Sequence, residues 1–179
     1  MDGKIIGRCR LCDSKKLIRI INFGKIPLGN NLLLKKKLSK KAKKYPLILN
    51  NCKLCNHFQL NYSVNPKVLY AKNYTYLSGT GKSMVVHLKE YADFIIKKIN
   101  LKKNSIVLDI GSNDGTCLLN FKKRGMTVLG IDPAKKPCEE AKKKGVNTIN
   151  NFFNKETAKK VLKLHGKVDF LTSHNTLAH

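Results

Sequence analysis

Two cysteine pairs, Cys9 and Cys12 in "CRLC" and Cys52 and Cys55 in "CKLC", each place two residues between their sulfurs. A tight turn of that spacing aims both thiolates at one ion, and two such knuckles complete the tetrahedral shell of a structural Zn2+ site. Such a site is closed: four protein ligands leave no position for water, so it folds a module and does no chemistry. The competing reading, two redox dithiols, needs a thioredoxin-like context that the chain lacks. The 39 residues between the pairs exceed what a compact zinc ribbon uses and leave room for a strand and the loop "KIPLGNNLL". His57 stands two residues past Cys55, but four cysteines fill the shell without it. Cys117 and Cys138 lie outside the pairs and read as buried small hydrophobes.

A second constellation sits in "VLDIGSNDGT", residues 107–116, where an apolar strand runs into a glycine turn carrying Asp109 and Asp114. A dinucleotide-binding loop wants G-x-G-x-x-G, so that backbone amides and a helix N-terminus can hold a pyrophosphate. Here the glycines are Gly111 and Gly115, and Asp114 would repel a phosphate. A phosphate-free, positively charged ligand suits the loop better. S-adenosyl-L-methionine carries a sulfonium and an α-ammonium; Gly111 would admit its methionine part without a Cβ clash, with Asp109 and Asp114 as counter-charge. Asp132 closes the next strand 23 residues after Asp109, where a carboxylate accepts hydrogen bonds from both ribose hydroxyls. The plainer alternative is a turn followed by a helix N-cap. Three acids in three expected places favour the cofactor.

These groups need a frame, and from Ser105 onward the periods are those of a βαβ array. Strands are expected at "SIVLDI", "MTVLGID", "VNTI" and "VDFLTSHN", with helices at "GTCLLNFKKRG", "AKKPCEEAKKKG" and "KETAKKVLKLHG" between them. Right-handed crossovers then make an open, doubly wound parallel sheet whose ligand lies beyond the strand C-termini. That edge holds Asp109 to Gly115, Asp132, Asn150 to Phe153, and Ser173 to Asn175. The fold class is therefore α/β: a small zinc-binding module over 1–65, a bridge over 66–104, and a Rossmann-like domain over 105–179. The bridge carries a Tyr/Ser/Gly-rich loop and then "SMVVHLKEYADFIIKKI", with Val85, Leu88, Tyr91, Ala92, Ile95 and Ile99 at helical spacing. Inside the zinc module, "LLLKKKLSKKAKKYP" reads as a solvated loop or a short helix ended at Pro46.

Composition bounds the function. The net charge of +25 first suggests a zinc-ribbon nucleic-acid binder, since clustered basic residues displace counterions from phosphates. Of the 36 basic residues, however, only four are Arg, and the lysines are spread along most of the chain beside abundant Asn and Ile. Groove recognition favours Arg's planar fork, so nucleic acid is the weaker reading and AT-rich coding the stronger. No apolar run reaches the roughly 20 residues that span a bilayer, and "MDGKIIGRCRLC" lacks a signal-peptide core, so no membrane partner and a cytoplasmic location are expected.

Taken in order, the zinc pairs, "KIPLGNNLL", "YPLILNNCKLCNHFQL", "NYTYLSGTGKSMVVH", "VLDIGSNDGTCL", "GIDPAK", "NNFF" and "TSHNTLAH" resemble the cysteine-rich, S-adenosylmethionine-dependent C-methyltransferases of nucleotide-linked deoxysugars. The resemblance runs along the whole chain. It implies a class I methyltransferase fold behind a zinc-binding domain, and nucleoside-diphosphate 4-keto-6-deoxyhexoses methylated at C-3 through an enolate. It also implies cofactor-binding roles for Asp109, Gly111, Asn113, Asp114, Gly115, Asp132, Pro133, Phe152, Phe153, Ser173 and Asn175. Tyr76 and His179 match positions on the substrate side, either of which could act as acid or base or stabilise the enolate. His87 matches a family position on the bridge helix and reads equally well as a helix-face histidine. Phe152 and Phe153 could pack on adenine or simply belong to a core. Members of that family continue for about as long again, with a Glu-His pair that has no counterpart here. The expectation is a fragment, its sheet left with an open edge, in which cofactor binding survives where turnover does not.

Overall fold

The computed structural model describes residues 2–29, 42–71 and 74–177. The chain divides into two compact units, Met1–Tyr74 and Thr75–His179.

In the first unit, β1 (Gly3–Ile5) pairs antiparallel with β5 (Tyr62–Val64). A three-stranded antiparallel sheet runs in the order β2 (Leu17–Pro27), β3 (Lys44–Cys52), β4 (Phe58–Leu60). Pro46, expected to end a solvated loop or a short helix, instead lies inside β3 opposite Lys25. Residues 32–41 of the basic run lie outside the described residues. Proline is tolerated there because β4 pairs with Leu49–Asn51 alone, so among the described residues β3 has a ladder on one side only at Pro46. "KIP" is likewise the end of β2, not loop. The unit buries little: β2 holds Ile18, Ile20, Ile21, Phe23 and Ile26 at its surface.

The second unit begins with helix α1 (Lys82–Lys98). Then come β6 (Ile106–Ile110), α2 (Thr116–Lys122), β7 (Thr127–Asp132), α3 (Lys135–Lys143), β8 (Asn147–Asn150), α4 (Lys155–His165) and β9 (Phe170–Thr172). The four strands form one parallel sheet in the order β8-β7-β6-β9, so the expected βαβ array is present. β9 is its edge among the described residues. Strand alternation sends Val107 and Val128 to one face, where Leu88 and Ala92 of α1, Leu118 and Phe121 of α2, and Ala141 of α3 close a core. Leu108, Leu129 and Ile131 face the other way and meet Val161 of α4. The bridge is therefore not a third piece. Its helix buries Leu88 and Ala92 in the second core, while Val85 and Ile99 of the expected stripe stay exposed, Ile99 because the helix ends at Lys98.

Candidate functional site

The four paired cysteines converge. Their sulfurs lie within 4.8 Å of one another, with Cys9 to Cys55 and Cys12 to Cys52 both 3.6 Å. A tetrahedral sulfur shell at a metal distance of about 2.3 Å has edges of about 3.8 Å, so the cluster is of the right size for zinc. The two knuckles are built alike. The amide of Asp13 bonds the Cys9 carbonyl at 2.9 Å and that of Asn56 bonds the Cys52 carbonyl at 2.8 Å. Asp13 and Asn56 both sit at φ 58°, a left-handed turn that Asp and Asn adopt more readily than most side chains. Burial opposes ionisation of Cys52, yet the amides of Cys55 and Leu54 and the neighbouring thiols outweigh it and pull that thiol to about 6. His57 contributes backbone groups: its carbonyl accepts from the Cys52 amide at 2.9 Å, and its own amide bonds the Cys55 thiol.

The second constellation forms at the C-terminal edge of the parallel sheet. Alternation along β6 puts Asp109 on the same face as Val107, toward α1 and α2, and it is only 3% exposed. Among the described residues its Oδ1 has no hydrogen-bond partner. Burial, and then the charge of Asp132, push this carboxyl up to about 8. Around it stand Cys117 and His174, whose ligating atoms and the carboxylate oxygen lie within 4.8 Å of one another. His174 packs edge-on against Tyr91 with centroids 4.5 Å apart, and burial followed by the His87 charge lowers its pKa. Tyr91 in turn shares a 2.9 Å hydrogen bond with Thr172.

After β6 the chain turns through three left-handed residues, Gly111 (φ 74°), Asn113 (φ 50°) and Gly115 (φ 73°). The amides of Gly111 and Ser112 both point to the Ile131 carbonyl, at 2.8 and 3.2 Å, which ties the loop to the end of β7. There Asp132 accepts from the Asn113 amide at 2.9 Å and the Ala134 amide at 2.8 Å. Burial raises its pKa while those two amides oppose the shift.

Three residues differ from expectation. The close approach that Gly111 permits is made here by Thr176, whose Oγ1 lies 2.1 Å from where a Cβ would stand. Asp114 is not a free counter-charge, because its oxygens are held by Lys144 Nζ and the Thr116 hydroxyl, both at 2.7 Å, and by the Gly79 amide at 3.1 Å. Asn113 turns its side chain away from the sheet edge and onto the segment 76–78, accepting from the Ser78 amide at 2.9 Å and donating to the Tyr76 carbonyl at 3.0 Å. Of the remaining edge residues, Ser173 donates to the Ile110 carbonyl at 3.0 Å and Asn175 turns at φ 51°. Pro133 and Phe152 are half-buried and Phe153 is 43% exposed, so Phe153 is not core. Tyr76 is exposed, as is His87, and His179 lies outside the described residues.

Sequence reasoning gave His174 no role of its own within the Ser173–Asn175 edge and missed Tyr91, Thr172 and Lys144 as site residues. His174 could have been found by parity, since Phe170, Thr172 and His174 alternate onto the face that Asp109 occupies. Lys144 carried no signal among so many lysines.

Residues 9–70 match a family model described as "Putative zinc binding domain", and residues 85–179 match one described as a methyltransferase domain. The chain belongs to this methyltransferase family. Zinc and S-adenosyl-L-methionine are the cofactors of its two domains. Over 174 residues it is 29% identical to the C-methyltransferase NovU of Streptomyces niveus, covering 97% of this chain and 41% of NovU. It thus spans about two-fifths of that curated relative. Among solved structures, magnesium protoporphyrin IX methyltransferase from Synechocystis PCC 6803 with bound SAH is 19% identical, with a TM-score of 0.41 over 52% of this chain and 42% of that one. Streptomyces venezuelae DesVI has the same identity and TM-score, over 56% and 40%. The family rests on the sequence matches, not on these weaker likenesses. Among the described residues no helix is long and apolar enough to cross a membrane.

Proposed function

We propose that this chain contributes the zinc module and the cofactor site of a class I, S-adenosylmethionine-dependent C-methyltransferase acting on a nucleotide-linked keto-deoxysugar in the cytoplasm. The observation that carries it is the likeness to NovU along nearly the whole chain, joined to a sheet edge on which Asp109, the 111–115 loop and Asp132 converge. The residues fit the cofactor. Asp109 Oδ1 and Ser112 Oγ are buried polar atoms without a partner among the described residues, a state that a bound polar ligand relieves. Asp132, with one amide on each oxygen, keeps further lone pairs for the ribose hydroxyls. Phe153 is available to an adenine face. The bound cofactor supplies an electrophilic methyl group.

On the sugar, a proton next to the ketone must leave before carbon can attack. That step needs a base, a donor to the enolate oxygen, and alignment of the two reactants. Tyr76 and His179 are our candidates for base and donor. Tyr76 has its carbonyl fixed by Asn113, so its segment has a defined place against the glycine loop. The zinc cluster has no open position and serves structure alone.

Calorimetric titration with S-adenosylhomocysteine tests the cofactor half of the proposal. Micromolar binding is expected, weakened at least about tenfold in Asp132→Ala by loss of charge-assisted hydrogen bonds to the ribose. NAD binding tighter than S-adenosylhomocysteine, or equal affinity in the variant, contradicts it.

A further inference from the structure

The loop "GSNDG" carries Asn113 midway between two glycines, where the turn itself asks only for a left-handed backbone. Glycine would meet that need at lower steric cost, so the side chain calls for another explanation. It has two partners, and both belong to one short segment. Asn113 Oδ1 accepts from the Ser78 amide and its Nδ2 donates to the Tyr76 carbonyl, a two-point clamp on the backbone either side of Leu77. One residue on, Asp114 accepts from the Gly79 amide, so consecutive loop residues grip consecutive parts of the segment. Lys144, at the end of α3, fixes the Asp114 carboxylate and also reaches the Thr116 hydroxyl at 3.2 Å. Burial works against ionisation of Asp114, but Lys144 and Thr116 outweigh it and hold the carboxyl below its usual range.

The segment is shaped to match. A Cβ at Gly79 would lie 2.7 Å from Asp114 Oδ2, 2.8 Å from Thr116 Oγ1 and 3.2 Å from Lys144 Nζ, so its backbone lies directly on the cluster. Thr80 closes the turn by donating its hydroxyl to the Leu77 carbonyl at 2.7 Å. The backbone amide of Asn113, meanwhile, is bound to Asp132. One residue therefore joins the segment bearing Tyr76 to the acid at the end of β7.

The geometry points to Asn113, Asp114 and Lys144 as positioning residues: together they latch the Tyr76–Thr80 segment onto the glycine loop and so fix where Tyr76 stands relative to Asp132. That Tyr76 is thereby placed for chemistry rests on the methyltransferase reading. The latch itself does not.

Residue-resolved hydrogen exchange on the zinc-loaded chain tests it. Asn113→Gly keeps the left-handed turn and removes only the clamp; Gly79→Ala attacks the latch from the other side; Lys144→Met and Lys144→Arg remove and restore the charge on Asp114. The Ser78 amide should exchange about fivefold to tenfold faster in Asn113→Gly, and the Gly79 amide similarly in Lys144→Met, with protection regained in Lys144→Arg. The amides of β6 and β7 should be unchanged in all of these. Saturating S-adenosylhomocysteine should slow exchange at Ser78 in the parent chain and fail to do so in Asn113→Gly. Equal exchange at Ser78 and Gly79 in parent and variants overturns the latch, as does a uniform acceleration through β6, β7 and α2, which marks plain loss of stability. Absence of S-adenosylhomocysteine binding in the parent chain counts against the cofactor reading, while the ligand-free exchange rates still decide the latch.

Discussion

The two units of this chain solve the same problem by different means. Among the described residues, the first buries only Cys9, Tyr45 and Cys52 of its apolar side chains and leaves the isoleucines of β2 in water. The second closes Leu88, Val107, Leu118, Phe121, Val128 and Val146 into a core and covers the opposite face of its sheet with α4. A fold with so little burial must draw its stability from elsewhere, and four sulfurs within 4.8 Å of one another supply it through a metal. Where a fold is held by burial, polar groups can be spent on chemistry. Asp109, Asp132 and His174 are placed at the edge of the apolar core, where water is scarce and charges act strongly.

The sharpest way to break the comparison is to remove the metal. Chelation, or Cys52→Ser, should abolish the strand pairing of β1–β5, because structural zinc is worth about 10–16 kcal/mol to a small module. Amide resonances of β6–β9 should persist. Parallel loss of both sets would mean that the units share one cooperative core. Truncating Phe121 is the reciprocal experiment. It is fully buried between α1 and the sheet, so Phe121→Ala should cost about 3–5 kcal/mol in denaturant unfolding of the second unit and leave zinc content unchanged.

A smaller effect concerns Asp109. Burial, and then the charge of Asp132, hold its carboxyl up at about 8 in the folded chain, above the ordinary 3.8, so the folded state keeps a proton that the unfolded chain releases. Stability from this group is present below about 4, falls as pH rises toward 8, and is constant above. Asp109→Asn cannot ionise, so its stability relative to the parent should grow between pH 4 and 8 and level off beyond. A constant difference across that range would mean that Asp109 is charged in the folded chain. Smallest of all, Arg8→Ala should leave the thermal midpoint of the zinc module within error. The Arg8–Asp13 pair at 2.6 Å is exposed on both sides and solvent screens it.

Legibility followed the same division. The second unit was readable because burial imposes periods: apolar runs gave the strands, glycines such as Gly125 and Gly145 the helix ends, and Asp109 and Asp132 their places at strand termini. In the first unit the cysteine spacing was readable, but the long pairing of β2 with β3 was not. β2 is exposed along nearly all its length and β3 is half-buried along most of its own, so no alternation marks either, and Pro46 pointed away from a strand. Within the site, the types of the loop residues were informative and their partners were not. Asn113 was expected at the cofactor by resemblance and Asp114 as a counter-charge, whereas their side chains grip a segment 35 to 37 positions away and Asp114 also holds Lys144, 30 positions away, which no local pattern encodes.

The most direct test of the account is amide chemical-shift mapping of the zinc-loaded chain with S-adenosylhomocysteine. Saturable shifts are expected at Gly111–Gly115, Asp132 and Phe153, with the four-cysteine module unmoved. Shifts confined to the zinc module, or none at the sheet edge, would contradict it.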